Sequence, residues 1–524
     1  MTQAASHISP ETPEAQPSIA KRAVVASGWI AAQRPIAMAL QMGRSLILTR
    51  LLFPEAFGLM ALVSVVTHGL NMLSDVGVQA AIIRSDRDDE AFLQTAWTLQ
   101  AIRGLLLALV CSVFAGPLAV TIGGPDMALY LEPLLPLASL GLLIGGFRSM
   151  NHIMANRNLD LGRITIMNAC VGFATLFITV GFAWAGHGVL SIIYGNIANA
   201  IMSVSVEFFL LKGVSHRMRI EKAAAKEQLG LGGWLFFSTA LTFGAGQIDR
   251  IILARLIDAA TLGLYSVALV LAAQPKEISN RFAASVLFPA ISEKKRESGG
   301  DFRSAFRRSR GALLAVSSLI TSGVGIFGPT FFNVLYDERY AASGNLARWL
   351  CIPMWGAVLF GTKDRALITL GNGRLLAFSN AARLIGSAGG AYFGHQVAGL
   401  PGLIVGLVAG PLLGAVVVTL GLRKDRLMDL RNDIVLTSVT FAFAFVGSLA
   451  VWFAERSATA AGLDTLAVVA LGALAGAMVL AIQVVAIIPA SGSAPQVLGM
   501  LKKLGLPVGR LQRFLRLRAS SLRV

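Results

Sequence analysis

Charge is scarce in this chain. Asp, Glu, Lys and Arg together make up 14% of its 524 residues, against about 25% in soluble domains. With 55% hydrophobic residues and a mean hydropathy of +0.68, that shortage excludes a soluble multidomain protein. Cysteine is nearly missing too. Cys111, Cys170 and Cys351 all lie in apolar runs and are odd in number, which argues against a disulfide framework or a zinc site. The six histidines show no metal-ligand spacing, so no metal and no other cofactor is expected. No glycine-rich nucleotide loop is present, and no carboxylate pair is set for catalysis. An ATP-driven pump and an enzyme are both disfavoured. Polar and apolar residues do not alternate, which excludes a transmembrane barrel.

What the chain does have is about fourteen apolar stretches, each near the roughly 20 residues a helix needs to cross a bilayer. The fold class is therefore an all-α polytopic membrane protein. The stretches begin at 24–49 and 57–83 and end at 435–455 and 463–489, with short connections. Residues 1–22 read as a disordered cytoplasmic tail, polar and without the apolar core of a signal peptide. Basic residues outnumber acidic ones, 45 to 28, and most fall in alternate connecting segments and the C-terminal tail. By the positive-inside rule both termini are expected in the cytoplasm. The net charge of +17 then marks topology beside anionic lipid, and no nucleic-acid partner is expected. In the tail, VGRLQRFLRLRAS spaces Arg510, Arg513 and Arg516 three apart, which suits a helix lying on the inner leaflet.

One segment is written twice. ILTRLLFPEAFGL at 47–59 returns as ILARLIDAATLGL at 252–264, so that Arg50 matches Arg255 and Gly58-Leu59 matches Gly263-Leu264. An even number of spans separates the copies, so both should enter the membrane from the same side. That is a parallel repeat, an arrangement found in transporters with a site between two halves.

The stretches ILTRLLFPEAFGLMAL, LSDVGVQAAIIR, NRNLDLGRITIMNA and GQIDRIILARLIDAATLGLYSVA closely resemble bacterial polysaccharide-exporter flippases. These form the Wzx-like branch of the multidrug/oligosaccharidyl-lipid/polysaccharide exporter superfamily. The resemblance runs from about residue 24 to 310. It implies two pseudo-symmetric six-helix lobes around a central cavity plus two C-terminal helices. The expected division is 23–228 and 229–432 for the lobes, 433–490 for the extra helices, and 491–524 for a basic amphipathic tail.

Ionisable groups inside spans are costly and so are candidate functional residues. Arg34, Gln41 and Ser45 share one face of the first span with Arg44 at its edge, and His68, Asn71, Asp75 and Gln79 share a face of the second. The repeat offset places Asp249 and Arg250 opposite Arg44 and Ser45, and Lys276 and Asn280 opposite Asn71 and Asp75. Arg34, Gln41, Arg44, Asn71, Arg250, Lys276 and Asn280 are the expected substrate-binding set. His68, Asp75 and Asp249 are candidates for ion coupling or gating. The competing role is internal pairing, Arg44 with Asp75 for example, or pairing within Lys363-Asp364-Arg365. Arg50 and Arg255, at span ends, should snorkel to the interface. The glycine stripes 386-390-394 and 402-406-410-414 should serve close helix packing.

The resulting expectation is an inner-membrane flippase for a polyprenyl-diphosphate-linked oligosaccharide, working by alternating access in surface polysaccharide biosynthesis. Its partners would be that substrate, membrane lipids and polysaccharide polymerase or export machinery. A multidrug exporter of the same superfamily, or a membrane glycan polymerase or ligase, is the alternative.

Overall fold

A computed structural model describes residues 19–74, 82, 87, 89–158, 160–211, 213–229, 232–283, 302–370, 372–423 and 429–490. Among these, every regular element is helical. The first hairpin is α1 (Ile19–Leu51) and α2 (Pro54–Leu73), followed by α3 (Glu90–Val113), α4 (Ala115–Leu131), α5 (Leu134–Gly146), α6 (Met150–Arg157), α7 (Leu161–Trp184) and α8 (Leu190–Leu210). After α9 (Lys222–Leu229) come α10 (Gly232–Leu253), α11 (Ala259–Ala272), α12 (Gln274–Phe282), α13 (Phe302–Leu335) and α14 (Ala341–Leu370). The last four are α15 (Gly373–Gly406), α16 (Ala409–Gly421), α17 (Leu430–Ala460) and α18 (Thr465–Ala490).

Local chemistry sets several of these boundaries. Pro54 starts α2, where its missing N–H costs nothing. Asp89 caps α3 by accepting from Phe92 N, and Asp258 caps α11 by accepting from Thr261 N. Gly124, at φ 72°, and Pro125 break α4, and the chain turns by 104° into α5. Among the described residues, seven helices are long and apolar enough to cross a membrane, or up to nine if each of two bent pairs is one span. The chain is thus a multi-pass membrane protein. The described parts of the expected stretches are helical, but some stretches run across a helix break, and several helices are too polar or too broken to qualify. Gln41 and Arg44 interrupt α1, Lys363-Asp364-Arg365 interrupts α14, and Pro275 separates α11 from α12.

The two copies of the repeated segment pack against each other. Gly58 on α2 faces Gly263 on α11 so closely that a Cβ on Gly58 would strike the Ala259 carbonyl, and one on Gly263 the Pro54 carbonyl. Tyr340 donates to the Leu52 carbonyl (2.9 Å), and Ser343, one turn later, to the Leu264 carbonyl (3.0 Å). Both hairpin turns therefore lie at one end of the molecule, as a parallel repeat requires. One buried cluster joins Leu48, Leu62 and Val66 of the first copy to Leu253, Leu262 and Tyr265 of the second. The glycines of α15 and α16 also act by packing. Gly390 and Gly406 each leave no room for a Cβ against the other's carbonyl, and Gly394 and Gly402 repeat the arrangement around the kink at Ala398-Gly399.

The C-terminal pair is fastened by polar groups. Gln483 on α18 donates to Ser318 Oγ (3.2 Å) and Ser322 Oγ (2.8 Å) on α13, and Ser322 donates to the Thr440 carbonyl on α17 (3.0 Å). Such bonds stand in for the hydrophobic drive that lipid cannot supply between helices.

Candidate functional site

The expected site residues fall into two neighbourhoods. In the first, α2, α3, α5, α7 and α8 enclose a cavity of about 970 Å³, lined in part by Asn71, Arg103, Arg148, His152, Asn168 and Asn199. Arg103 was missed by sequence reading, although it obeys the same rule as the residues that were found. It donates to Asn71 Oδ1 (2.6 Å), to the Asn71 carbonyl, and through Nε to Ser74 Oγ (2.8 Å). Asn71 is thus an acceptor already engaged. Amides and hydroxyls dominate this cavity's polar lining, which offers both donors and acceptors.

Arg44 reaches Asn196 Oδ1 at 3.4 Å. Asp75, its suggested partner, and Gln79 lie outside the described residues. Gln41 is exposed on α1, and the backbone of Arg34 belongs to the same helix. His68 is exposed and tilts toward Phe243 of α10, centroid to centroid 6.2 Å. Ser45 accepts from Tyr336 OH at 3.3 Å.

The second neighbourhood gathers charge. Asp249 accepts from Tyr265 OH at 2.6 Å, so one acid is tied to a fully buried phenol. Arg250 donates to Gln247 Oε1 at 2.7 Å, and its buried Nε has no partner among the described residues. Lys276 on α12 has Arg383, Glu277, Asp249 and Arg250 as charged neighbours. Arg383 on α15 stacks over Phe360 at 5.0 Å, donates weakly to the Thr242 carbonyl (3.4 Å), and also keeps a buried Nε without a partner among the described residues. Arg383 is the second residue that sequence reading passed over. Asn280 Oδ1 faces Gly361 of α14. The structure thus brings Asp249, Arg250, Lys276 and Arg383 together, and it groups Asn71 with Arg103. Arg44 makes its hydrogen bond to α8, one of the helices that border the cavity.

Two charged clusters have a structural character. Asp433 on α17 accepts from Arg310 (2.6 Å) on α13 and pairs with Lys363 (3.1 Å) on α14, all three buried. Thr362 accepts from Arg310 Nε (3.1 Å) and Thr419 from Lys363 (3.0 Å). Lys363 therefore finds its acid on another helix, outside the Lys363-Asp364-Arg365 triplet. Buried Glu207 binds Arg148, accepts from the Ser149 N–H (3.2 Å) and touches His152 (3.2 Å). Nearby, the stretch 213–221 lies pinned to α3 and α6. Asn151 accepts from Val214 N–H (2.9 Å), Ser215 accepts from Gln94 (3.0 Å), and Thr98 and Thr95 accept from the Arg219 and Glu221 N–H groups (3.0 Å each).

A family model described as "Polysaccharide biosynthesis protein" matches residues 47–343, more than half of the chain. Among curated relatives, the lipopolysaccharide biosynthesis protein WzxC of Escherichia coli is 21% identical over 340 residues, covering 64% of this chain and 67% of its own. The succinoglycan biosynthesis transport protein ExoT of Rhizobium meliloti is 21% identical over 376 residues, covering 70% and 73%. Among solved structures, the lipid II flippase MurJ in an inward closed conformation superposes with a TM-score of 0.64 at 12% identity, over 88% of this chain and 98% of that one. An inward-facing multidrug transporter of the MATE family follows at 0.55 and 13%, over 74% and 94%. At these identities the likeness to solved structures shows the fold alone.

Proposed function

Since the chain belongs to the polysaccharide biosynthesis protein family, as a Wzx-like membrane flippase, we propose that its cargo is a polyprenyl-diphosphate-linked oligosaccharide. The observation that carries this reading is the donor-rich cluster of Arg250, Lys276 and Arg383. Both guanidinium groups hold a buried Nε–H without a partner among the described residues, and a diphosphate is the acceptor that suits them. Its charge could not cross hydrocarbon unaided. The amide- and hydroxyl-lined cavity beside Asn71, Asn168 and Asn199 would take the sugars, while the lipid tail stays in the bilayer. The protein sits in the bacterial inner membrane with both termini cytoplasmic, and the halves 23–228 and 229–432 rock about the site in alternating access. An ion gradient or consumption of the product downstream supplies the energy. His68 and Asp249 are the candidates for coupling, and polysaccharide polymerase or export proteins the partners. A drug exporter for organic cations fits the arginine cluster poorly, because like charges repel.

The test is surface polymer, normalised to folded protein in the membrane, for Arg250→Ala, Lys276→Ala and Arg383→Ala. Export should fall at least about tenfold for each, since a charge-assisted hydrogen bond is worth roughly 1.5–3 kcal/mol. Arg250→Lys should recover part of it, keeping the charge but losing the fork. Full export by all three alanine variants rejects the diphosphate site.

A further inference from the structure

A helical carbonyl accepts from the N–H four residues on, and proline has no N–H to give. Among the carbonyls left without a helical donor at such positions in the first part of the chain are those of Arg50 and Thr121. Arg50 lies four residues before Pro54, and Thr121 four before Pro125. Each is instead served by an arginine from the second part. Arg339 donates to the Arg50 carbonyl at 3.1 Å, and Arg255 to the Thr121 carbonyl at 2.6 Å. Between them, buried Tyr340 donates to the Leu52 carbonyl in the α1–α2 turn at 2.9 Å.

The arginines are held in position. Asp337 accepts from Arg339 Nε at 2.7 Å, and the Phe53 ring lies 4.7 Å from its guanidinium carbon. The edge of Phe57 meets Tyr340 at 5.8 Å. Arg255 runs past Gly124, where the broken helix turns its carbonyls outward. The duplicated arginines reach across in opposite senses. Arg255 of the second copy binds the first part, and Arg50 of the first lies within electrostatic reach of Asp337 in the second. All these contacts sit at the turn end, beside the Gly58–Gly263 crossing.

We infer that Arg255, Arg339 and Tyr340 form a gate latch, which holds the turn end shut and is released when that end opens. The bonds suit repeated breaking. The Arg339 side chain is 33% exposed, so water replaces its carbonyl partner as it leaves. The Arg310–Asp433 pair, 3% and 9% exposed, is by contrast a permanent fastening. The latch goes beyond the transport reading, since it requires no particular substrate. The lysine and arginine distribution places this end outside the cell.

The experiment labels a cysteine behind the latch. In a background lacking Cys111, Cys170 and Cys351, Ser45→Cys is exposed to a membrane-impermeant maleimide in whole cells and in inverted vesicles. Arg255→Ala and Arg339→Ala should each speed labelling in whole cells by roughly three- to tenfold, the worth of one part-exposed charged hydrogen bond. The pair together should exceed either. Tyr340→Phe, which removes one hydroxyl, should do the same more weakly without risk to folding. Arg456→Ala, on α17 and outside the latch, should leave the rate unchanged. Unchanged labelling in every latch variant overturns the proposal, as does an increase confined to inverted vesicles. Because no cargo enters this measurement, its failure is distinct from failure of the export test.

Discussion

At the residue scale, the rule that intramembrane charge marks a candidate picked out Asp249, Arg250 and Lys276, which lie near one another, and left others unnamed. Arg103 and Arg383 satisfied the rule and were missed because they stand alone in otherwise apolar runs. Arg50 and Arg255 were expected only to snorkel, yet Arg255 binds the Thr121 carbonyl. Such a partner is set by a helix break far away in sequence, so it is invisible at the arginine itself. Asp433 is a further case. Its neutralisation in Asp433→Asn leaves Arg310 and Lys363 buried without an anion, and breaking such a cluster costs roughly 3–5 kcal/mol. Membrane abundance should drop sharply, and Lys363→Met in the same chain should restore part of it; undiminished abundance in Asp433→Asn would count against this. His216 gives a pH dependence. Its Nε2 accepts from the Met150 N–H at 3.1 Å and contacts Ser149 Oγ at 3.2 Å, which requires a neutral ring. Burial holds its pKa below the ordinary value, about 6.5 when unfolded. The unfolded chain thus binds the proton more readily. The stability His216 contributes is present above about pH 6.5 and lost as pH falls toward the folded value. Thermal stability of the solubilised protein should decline on acidification from neutral pH, less steeply in His216→Asn. Equal slopes would assign the decline to other groups.

At the element scale, hydropathy located the helices because long apolar runs in lipid have no other way to satisfy their backbone. It did not reveal their breaks. Residues 93–119 form one apolar stretch in the sequence, yet α3 stops at Val113 and a separate helix, α4, starts at Ala115, where Pro117 has no N–H to give the Val113 carbonyl. Glycine roles were legible where spacing was regular, as in α15 and α16. The Gly58–Gly263 crossing was legible only as a repeated letter. Gly58→Ala places a Cβ against the Ala259 carbonyl, and such overpacking costs typically about 1–3 kcal/mol. Gly43→Ala, on α1 with nothing within 4 Å, should be neutral or stabilising, because glycine weakens a helix by about 1 kcal/mol. Melting temperatures of the two variants decide this, and a Gly58→Ala protein as stable as its parent would refute tight contact there.

At the scale of the whole molecule, the repeat was the most informative feature of the sequence. It led to the expectation that both copies run in the same direction, and the shared position of their turns bears that out. It could not show that the copies would be each other's neighbours, since duplication alone does not say which faces meet. They meet at the duplicated glycine itself, and each one's close contact is the other's equivalent. A surface that touches its own counterpart residue for residue is an isologous contact, the kind made across a two-fold axis between identical subunits. The Gly58–Gly263 crossing is therefore built like a contact that a half-length protein could make with a second copy of itself.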